Sequence, residues 1–182
     1  MRQLSILLPT YNRLERLKKT FPEIISNQSN KIEFVVVDNN SNDGTEMFIR
    51  KYAENDSRIR YFKNFRNLGP NRSLYRAVLE ANSDWIVIIP DDDYVPQTYI
   101  DELLITIEKN KNCGLIITAK KNQDLLYQHT TKISNGIDAL KVAYSHSSAI
   151  TCLAWNKKNI KEKKWLLDGH IYIQVRVSSE IA

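Results

Sequence analysis

Residues 85–94 read WIVIIPDDDY, from Trp85 to Tyr94. The first half is a run of aromatic and β-branched side chains without polar alternation, the pattern of a strand buried on both faces inside a parallel sheet. The second half places Asp91, Asp92 and Asp93 at the carboxyl end of that strand. Three adjacent carboxylates repel one another and cannot all be buried. Water, basic side chains or a divalent cation must compensate them, and hard cations with oxygen ligands fit best. The competing reading is a solvated turn in which one aspartate caps a helix beginning near Pro96.

Outward from this stretch, the same grammar repeats. Residues 4–8 form a short apolar run closed by Pro9, and residues 32–37 form a continuous one closed by Asp38; both read as buried strands. Residues 58–63 make a third, less apolar strand. Between strands the period changes: Leu14, Leu17, Phe21, Ile24 and Ile25 recur at three and four residues, giving one buried helix face. Thr45 is placed to cap a helix running to about Glu54, with Met47, Phe48 and Tyr52 turned inward. Asn67-Leu68-Gly69-Pro70 reads as a turn before a helix over residues 72–81. A further helix over 97–109 and a strand over 114–119 follow. This order is the signature of an α/β fold, a doubly wound, mostly parallel sheet with helices on both faces and right-handed crossovers. Beyond Lys120 the pattern is less regular. A helix is expected near 137–144, a strand within 149–155, and a final segment from His170 whose alternation favours strand. The chain stops in an apolar-rich segment without a closing signal, which points to a missing C-terminal part.

Bulk properties narrow the class. The 182 residues suit one domain with a sizeable core, and 42% hydrophobic with 26% charged residues is ordinary for a globular chain. No apolar run approaches a membrane span, and the start MRQLSILLPT lacks the length and cleavage site of a signal peptide; a cytoplasmic protein is expected. Cys113 and Cys152 lie far apart in apolar surroundings, as reduced core thiols do. The net charge of +5 favours anionic partners, and much of it comes from Lys157, Lys158, Lys161, Lys163 and Lys164. That run reads as a solvated face or as peripheral contact with the inner face of an anionic membrane. Nucleic acid is not expected, because basic residues are not interleaved with aromatics along one face.

In an open α/β sheet, ligands bind beyond the carboxyl ends of the strands where strand order reverses. With strands two and three on one side of strand one and strand four on the other, three polar clusters meet there: Pro9-Thr10-Tyr11-Asn12-Arg13, Asp38-Asn39-Asn40-Ser41 and Asp91-Asp92-Asp93. A response-regulator phosphoacceptor domain also gathers acids at strand ends, but here a polar NNSNDGT loop follows Asp38 and no lysine ends a later strand in the right place.

SILLPTYNR (5–13), FVVVDNNSNDGT (34–45) and NLGPNRSLYRAVLEANSDWIVIIPDDDYVP (67–96) resemble, in order and spacing, the three successive signatures of family 2 glycosyltransferases of the GT-A fold. The resemblance covers about residues 4–120. It implies an inverting transfer of sugar from a nucleoside diphosphate sugar, a UDP-sugar first, to a hydroxyl on a surface polysaccharide or lipid-linked glycan. Residues 1–120 would be the donor-binding part and 121–182 a short or truncated acceptor-side region of the same Rossmann-like domain. By the same resemblance, Pro9, Thr10, Tyr11 and Arg13 wall the donor site, and Asp38 or Asn39 meets base and ribose. Asn67, Gly69 and Arg72 pass the donor, Arg72 either neutralising diphosphate or standing as a surface charge. Asp92 would hold Mg2+ or Mn2+, Asp93 would support it, and Asp91 would face the ribose or sugar. The match weakens downstream: Asp168 is the candidate general base and His170 its alternative. The rival from another class is a non-catalytic nucleotide-sugar-binding module that needs a partner. An apolar tail with Ile171, Ile173 and Val175 also fits a homo-oligomer contact.

Overall fold

The computed structural model describes residues 2–93, 95–121, 126–133 and 153–159. In chain order they form β1 (Leu4–Thr10), α1 (Leu14–Ile24), β2 (Ile32–Asp38), α2 (Thr45–Ala53), β3 (Ile59–Lys63), α3 (Pro70–Glu80), β4 (Trp85–Ile88), α4 (Gln97–Lys109), β5 (Leu115–Lys121), β6 (Leu126–Ile133) and β7 (Leu153–Asn156). The described strands make one sheet in the order β3-β2-β1-β4-β7-β5-β6. β1 pairs in parallel with both β2 and β4, and β2 with β3. Strand order therefore reverses between β1 and β4, and Thr10 lies in register with Asp38.

Helices cover both faces because successive strand residues point to opposite sides. Leu4, Ile6 and Leu8 of β1 join Leu17, Phe21 and Ile24 of α1, Ile49 of α2 and Leu103 of α4 in one core; Leu7, Val35 and Val37 face Leu74, Ala77 and Val78 of α3 in the other. Phe21, Phe48 and Tyr52 meet edge to face at centroid distances of 5.2–6.2 Å, fastening α1 to α2.

Two expectations need correction. Thr45 does not cap α2: the cap position is Gly44, at φ 95°, and Asp43 Oδ1 accepts from both the N–H and the hydroxyl of Thr45. Met47 is 77% exposed, whereas Ile49 is buried, since a helix beginning at Thr45 turns positions 45 and 49 to the sheet. At the far edge β7 lies between β4 and β5, antiparallel to both, and β6 adds a hairpin partner to β5. The strand expected within 149–155 is thus Leu153–Asn156, while β6 had no expectation of its own. Cys113 is a free, buried thiol. The helix expected near 137–144, Cys152 and the segment from His170 lie outside the described residues.

Candidate functional site

Beyond Thr10 the chain must leave the sheet at once, and two residues in left-handed backbone conformation make the turns: Asn12 (φ 51°) after β1 and Asn40 (φ 70°) after β2. Asparagine tolerates this region better than other side chains with a Cβ. The two loops then lock together, with Asn12 N donating to Ser41 Oγ at 2.8 Å and Asn42 N donating to Asn12 Oδ1 at 3.0 Å. Asn39 N reaches back to Thr10 O at 2.9 Å. These ties hold open a cleft of about 350 Å3 lined by Pro9, Thr10, Tyr11, Arg13, Asn39, Asn67, Pro70, Ser73 and Asp91.

The aspartate triplet divides its work. Asp91 is buried at the cleft wall, where Thr10 Oγ1 donates to its Oδ2 at 2.8 Å, and its own carbonyl accepts from Thr20 Oγ1 at 2.9 Å. Burial pushes the Asp91 carboxyl above its ordinary value, against the opposing pull of Thr10, Arg13 and Arg16. Asp92 is exposed and pairs with Arg16 at 3.0 Å and Arg13 at 3.7 Å. Asp93 N closes the turn onto Pro90 O at 3.2 Å. None of the three caps α4, whose cap residue is Pro96 with no side-chain bond; the solvated-cap reading of the triplet is set aside on that ground.

Asp38 is fully buried and committed internally: Oδ1 accepts from Ser41 N at 2.8 Å and Oδ2 from the Tyr61 hydroxyl at 2.6 Å. Burial, and then that bond to Asp38, push the Tyr61 phenol far above its usual range. Asp38 shapes the loop from behind and leaves no open face for a phosphoryl group, which disfavours the phosphoacceptor reading. The neighbouring Asn39 reaches the cleft instead. Its Oδ1 accepts from Asn64 Nδ2 at 3.0 Å and Leu68 N at 2.8 Å, and its Nδ2 donates to Asn67 Oδ1 at 2.6 Å. Gly69 N also donates to Asn67 Oδ1, at 2.9 Å. Gly69 stands at φ 84°, ψ 165°, a conformation open to glycine alone, and delivers the chain into Pro70, the first residue of α3.

Of the residues singled out from sequence, the cleft brings together Pro9, Thr10, Tyr11, Arg13, Asn39, Asn67 and Asp91. Asp38, Gly69, Asp92 and Asp93 stand behind or beside it, and Arg72 is exposed on the first turn of α3, outside the lining. Asp168 and His170 lie outside the described residues. Pro70 of the lining falls within the stretch from Asn67 to Arg72 expected to pass the donor, whereas Ser73 of the lining, and Asn64, Arg76 and Arg16 behind it, were not anticipated. The available signal was the basic spacing Arg13/Arg16 opposite an acidic triplet; Asn64 and Arg76 carry none, since their roles depend on the β3 and α3 contacts. Of the lysine run, Lys157 Nζ donates to Ala81 O and Lys158 Nζ reaches Asp84 Oδ2 at 2.7 Å. Both bonds lie at the amino end of the sheet, away from the cleft.

The donor set suits a hard cation: Asp91 offers a buried carboxylate and Asp92 an accessible one. Among the described residues no three acidic, His or Cys side chains form a complete cage. Mg2+ and Mn2+ sites built with substrate phosphates need only one or two carboxylates, so the residues fit.

A mixed, mostly parallel sheet with its cleft at the β1/β4 reversal, walled by carboxylate, amide and aromatic groups, is the GT-A architecture of the glycosyltransferases. The structure superposes on the crystal structure of Staphylococcus aureus TarS residues 1–349 with a TM-score of 0.74 at 17% identity, covering 98% of this chain and 55% of that one. It also matches a Pyrobaculum calidifontis mannosyltransferase in complex with GDP-Man and Mn2+, with a TM-score of 0.64 at 21% identity over 88% of this chain and 46% of that one. The profile of glycosyl transferase family 2 matches residues 5–165, and the chain belongs to that family. Among curated relatives it is 32% identical over 95 residues to the GalNAc(5)-diNAcBac-PP-undecaprenol beta-1,3-glucosyltransferase of Campylobacter jejuni, covering 51% of this chain and 30% of that enzyme. The chain thus spans about half or less of the length of each of these proteins. Among the described residues no helix is long and apolar enough to cross a membrane.

Proposed function

We propose that this chain carries the donor site of an inverting glycosyltransferase that moves a sugar from a nucleoside diphosphate sugar, UDP-linked by first choice, to a hydroxyl acceptor on a saccharide or lipid-linked glycan. The observation that carries it is the cleft itself, where Thr10, Tyr11, Asn39, Asn67 and Asp91 converge from three loops at the strand-order reversal. The Tyr11 ring offers a face to the base, and the Asn39 and Asn67 amides meet its polar edge or the ribose. Arg13, in the lining, is the cation placed for the diphosphate; the start of α3 adds backbone N–H groups of the same sense. Asp92, with Asp93 in support, would hold Mg2+ or Mn2+, which when bound neutralises charge on the departing diphosphate, and Asp91 would face the ribose or sugar.

Residues 1–120 form the donor part in this reading and 121–182 the acceptor side. Asp168 takes the proton of the acceptor hydroxyl on the face of the sugar opposite the leaving group, as inversion requires. Support for the donor class comes from TarS, also solved in complex with UDP-GlcNAc, and from the mannosyltransferase solved with GDP-Man and Mn2+; support for a lipid-linked acceptor comes from the name of the Campylobacter enzyme. The test is release of nucleoside diphosphate from a panel of UDP- and GDP-sugars with lipid-linked and soluble acceptors. Acceptor-dependent release that Asp168→Asn abolishes while donor binding persists is expected. Full turnover in that variant would remove Asp168 from the mechanism, and no release from any donor would refute transfer.

A further inference from the structure

We infer that Arg76 and Asn64 are positioning residues that, together with the Leu68 N–H, fix the polarity of the donor cleft, holding Asn39 so that it presents only N–H to a bound ligand. The inference rests on the donor-site reading above and names what that site demands of its ligand: a hydrogen-bond acceptor, a base carbonyl oxygen or an unprotonated ring nitrogen, against Asn39.

An asparagine amide can be turned end for end without changing its shape, so its sense must come from neighbours that can only donate or only accept. Arg76 is such a neighbour. Its guanidinium has no acceptor atom, and NH1 donates to Lys63 O at 2.7 Å and to Asn64 Oδ1 at 2.9 Å. Asn64 Oδ1 must therefore face Arg76, which turns Asn64 Nδ2 toward Ser73 Oγ at 2.9 Å and Asn39 Oδ1 at 3.0 Å. Asn39 Oδ1 also takes the Leu68 N–H, filling both lone pairs. The Asn39 Nδ2 then points to Asn67 Oδ1, whose sense is set independently by the Gly69 N–H. Three obligate donors, the Arg76 guanidinium and the Leu68 and Gly69 amides, thus agree on one orientation of three side chains. One Nδ2 proton of Asn39 is spent on Asn67. The second meets no acceptor among the described residues, and Asn39, buried at 4% exposure, is one of the residues lining the cleft. Arg76 is itself held over the Phe62 ring, 5.6 Å from its centroid, and beside Glu80 at 3.8 Å, so the relay starts from a fixed point.

The experiment compares the side-chain amide resonances of Asn39 in 15N-labelled, ligand-free protein. Arg76→Met deletes the obligate donor and Arg76→Lys keeps one. The expected result is that Arg76→Met moves the Asn39 amide pair and exposes its Asn67-bonded proton to exchange, while Arg76→Lys restores both. A purely structural arginine would lower the melting temperature yet leave the Asn39 resonances at their wild-type positions, which overturns the inference. Asn64→Asp, which replaces the donor facing Asn39 with an acceptor, must produce the same displacement and serves if Arg76→Met does not fold. In the nucleotide arm, the affinity ratio between the tightest and next-tightest of UDP, GDP, dTDP and CMP falls about fivefold in Arg76→Met, the worth of one neutral hydrogen bond. An unchanged ratio contradicts the claim about the ligand. A wild-type chain that binds none of the four refutes the donor reading and that claim together, while the resonances still decide the relay.

Discussion

Asp91 holds a carboxylate where the fold would rather have a neutral group. Because burial raises its folded-state value above the unfolded one, ionised Asp91 opposes folding at neutral pH, and the penalty disappears as the pH falls through the folded value. Asp91→Asn is therefore expected to raise the melting temperature of the ligand-free chain by a few degrees, roughly the effect of 1 kcal/mol, while weakening Mn2+-dependent nucleotide binding. A scanning-calorimetry trace at pH 7 showing a lower melting temperature would contradict this. Asp92→Asn should behave differently. Its side chain is 40% exposed and, among the described residues, pairs with surface arginines, so stability should change by less than about 0.5 kcal/mol while metal-assisted nucleotide binding drops. Unchanged affinity with Mn2+ would exclude Asp92 as a ligand. The location of the triplet is legible in the sequence because a strand pattern runs straight into it. Which aspartate turns inward is not, because that depends on Thr10, Thr20, Arg13 and Arg16, which are remote in sequence and adjacent only in space.

Among the elements, β1 and β2 are pinned at both ends, and the end away from the cleft carries a second polar network. Glu33, fully buried beside its register partner Ser5, accepts from the Ser5 hydroxyl at 2.5 Å, Asn82 N at 2.6 Å and Arg60 NH1 at 3.2 Å. Burial pushes its carboxyl up, but these three donors together hold it below the ordinary glutamate value. A depressed folded-state value stabilises the fold at pH above the unfolded value, about 4.5, and that contribution is lost as the pH falls through the folded value. Glu33→Ala is expected to cost about 3 kcal/mol at pH 7, because it strands buried donors, and to flatten the acid limb of the stability curve measured in urea. An acid limb identical to that of the wild type would show that Glu33 does not titrate with unfolding. At the cleft end, Gly69→Ala meets open space but the wrong backbone region, so about 2 kcal/mol of destabilisation should appear without any steric clash. The alternation of strand and helix was readable from period alone, as were Gly69-Pro70 and the start of α3 to within two residues. Of the three residues assigned inward on α2, Phe48 and Tyr52 pack against the core and Met47 does not, because the face that meets the sheet runs through Thr45 and Ile49.

For the molecule as a whole, seven described strands join a parallel half to an antiparallel edge, with β7 wedged between β4 and β5. Trp155 of β7 is fully buried against the α3-side core, so Trp155→Ala should lower stability by about 4 kcal/mol, measurable by urea denaturation. A loss below 1 kcal/mol would mean that β7 is dispensable to the sheet. This wedge was the part of the fold hardest to foresee. A strand that arrives from more than thirty residues downstream and pairs antiparallel to two others leaves no local trace beyond four apolar-rich residues, whereas each βαβ unit announces itself in one window of sequence. The same asymmetry separates the donor side, whose residues recur at strand ends, from the acceptor side, whose candidate base Asp168 has no such frame. The central claim is that the cleft between β1 and β4 binds a nucleoside diphosphate with help from a divalent cation. Calorimetric titration of UDP, GDP, dTDP and CMP into the purified chain, each with and without Mn2+, tests it most directly. Selective binding of one nucleoside diphosphate, strengthened by Mn2+ in the wild type and not in Asp92→Asn, is the predicted result; no binding of any of the four, with or without the metal, would contradict it.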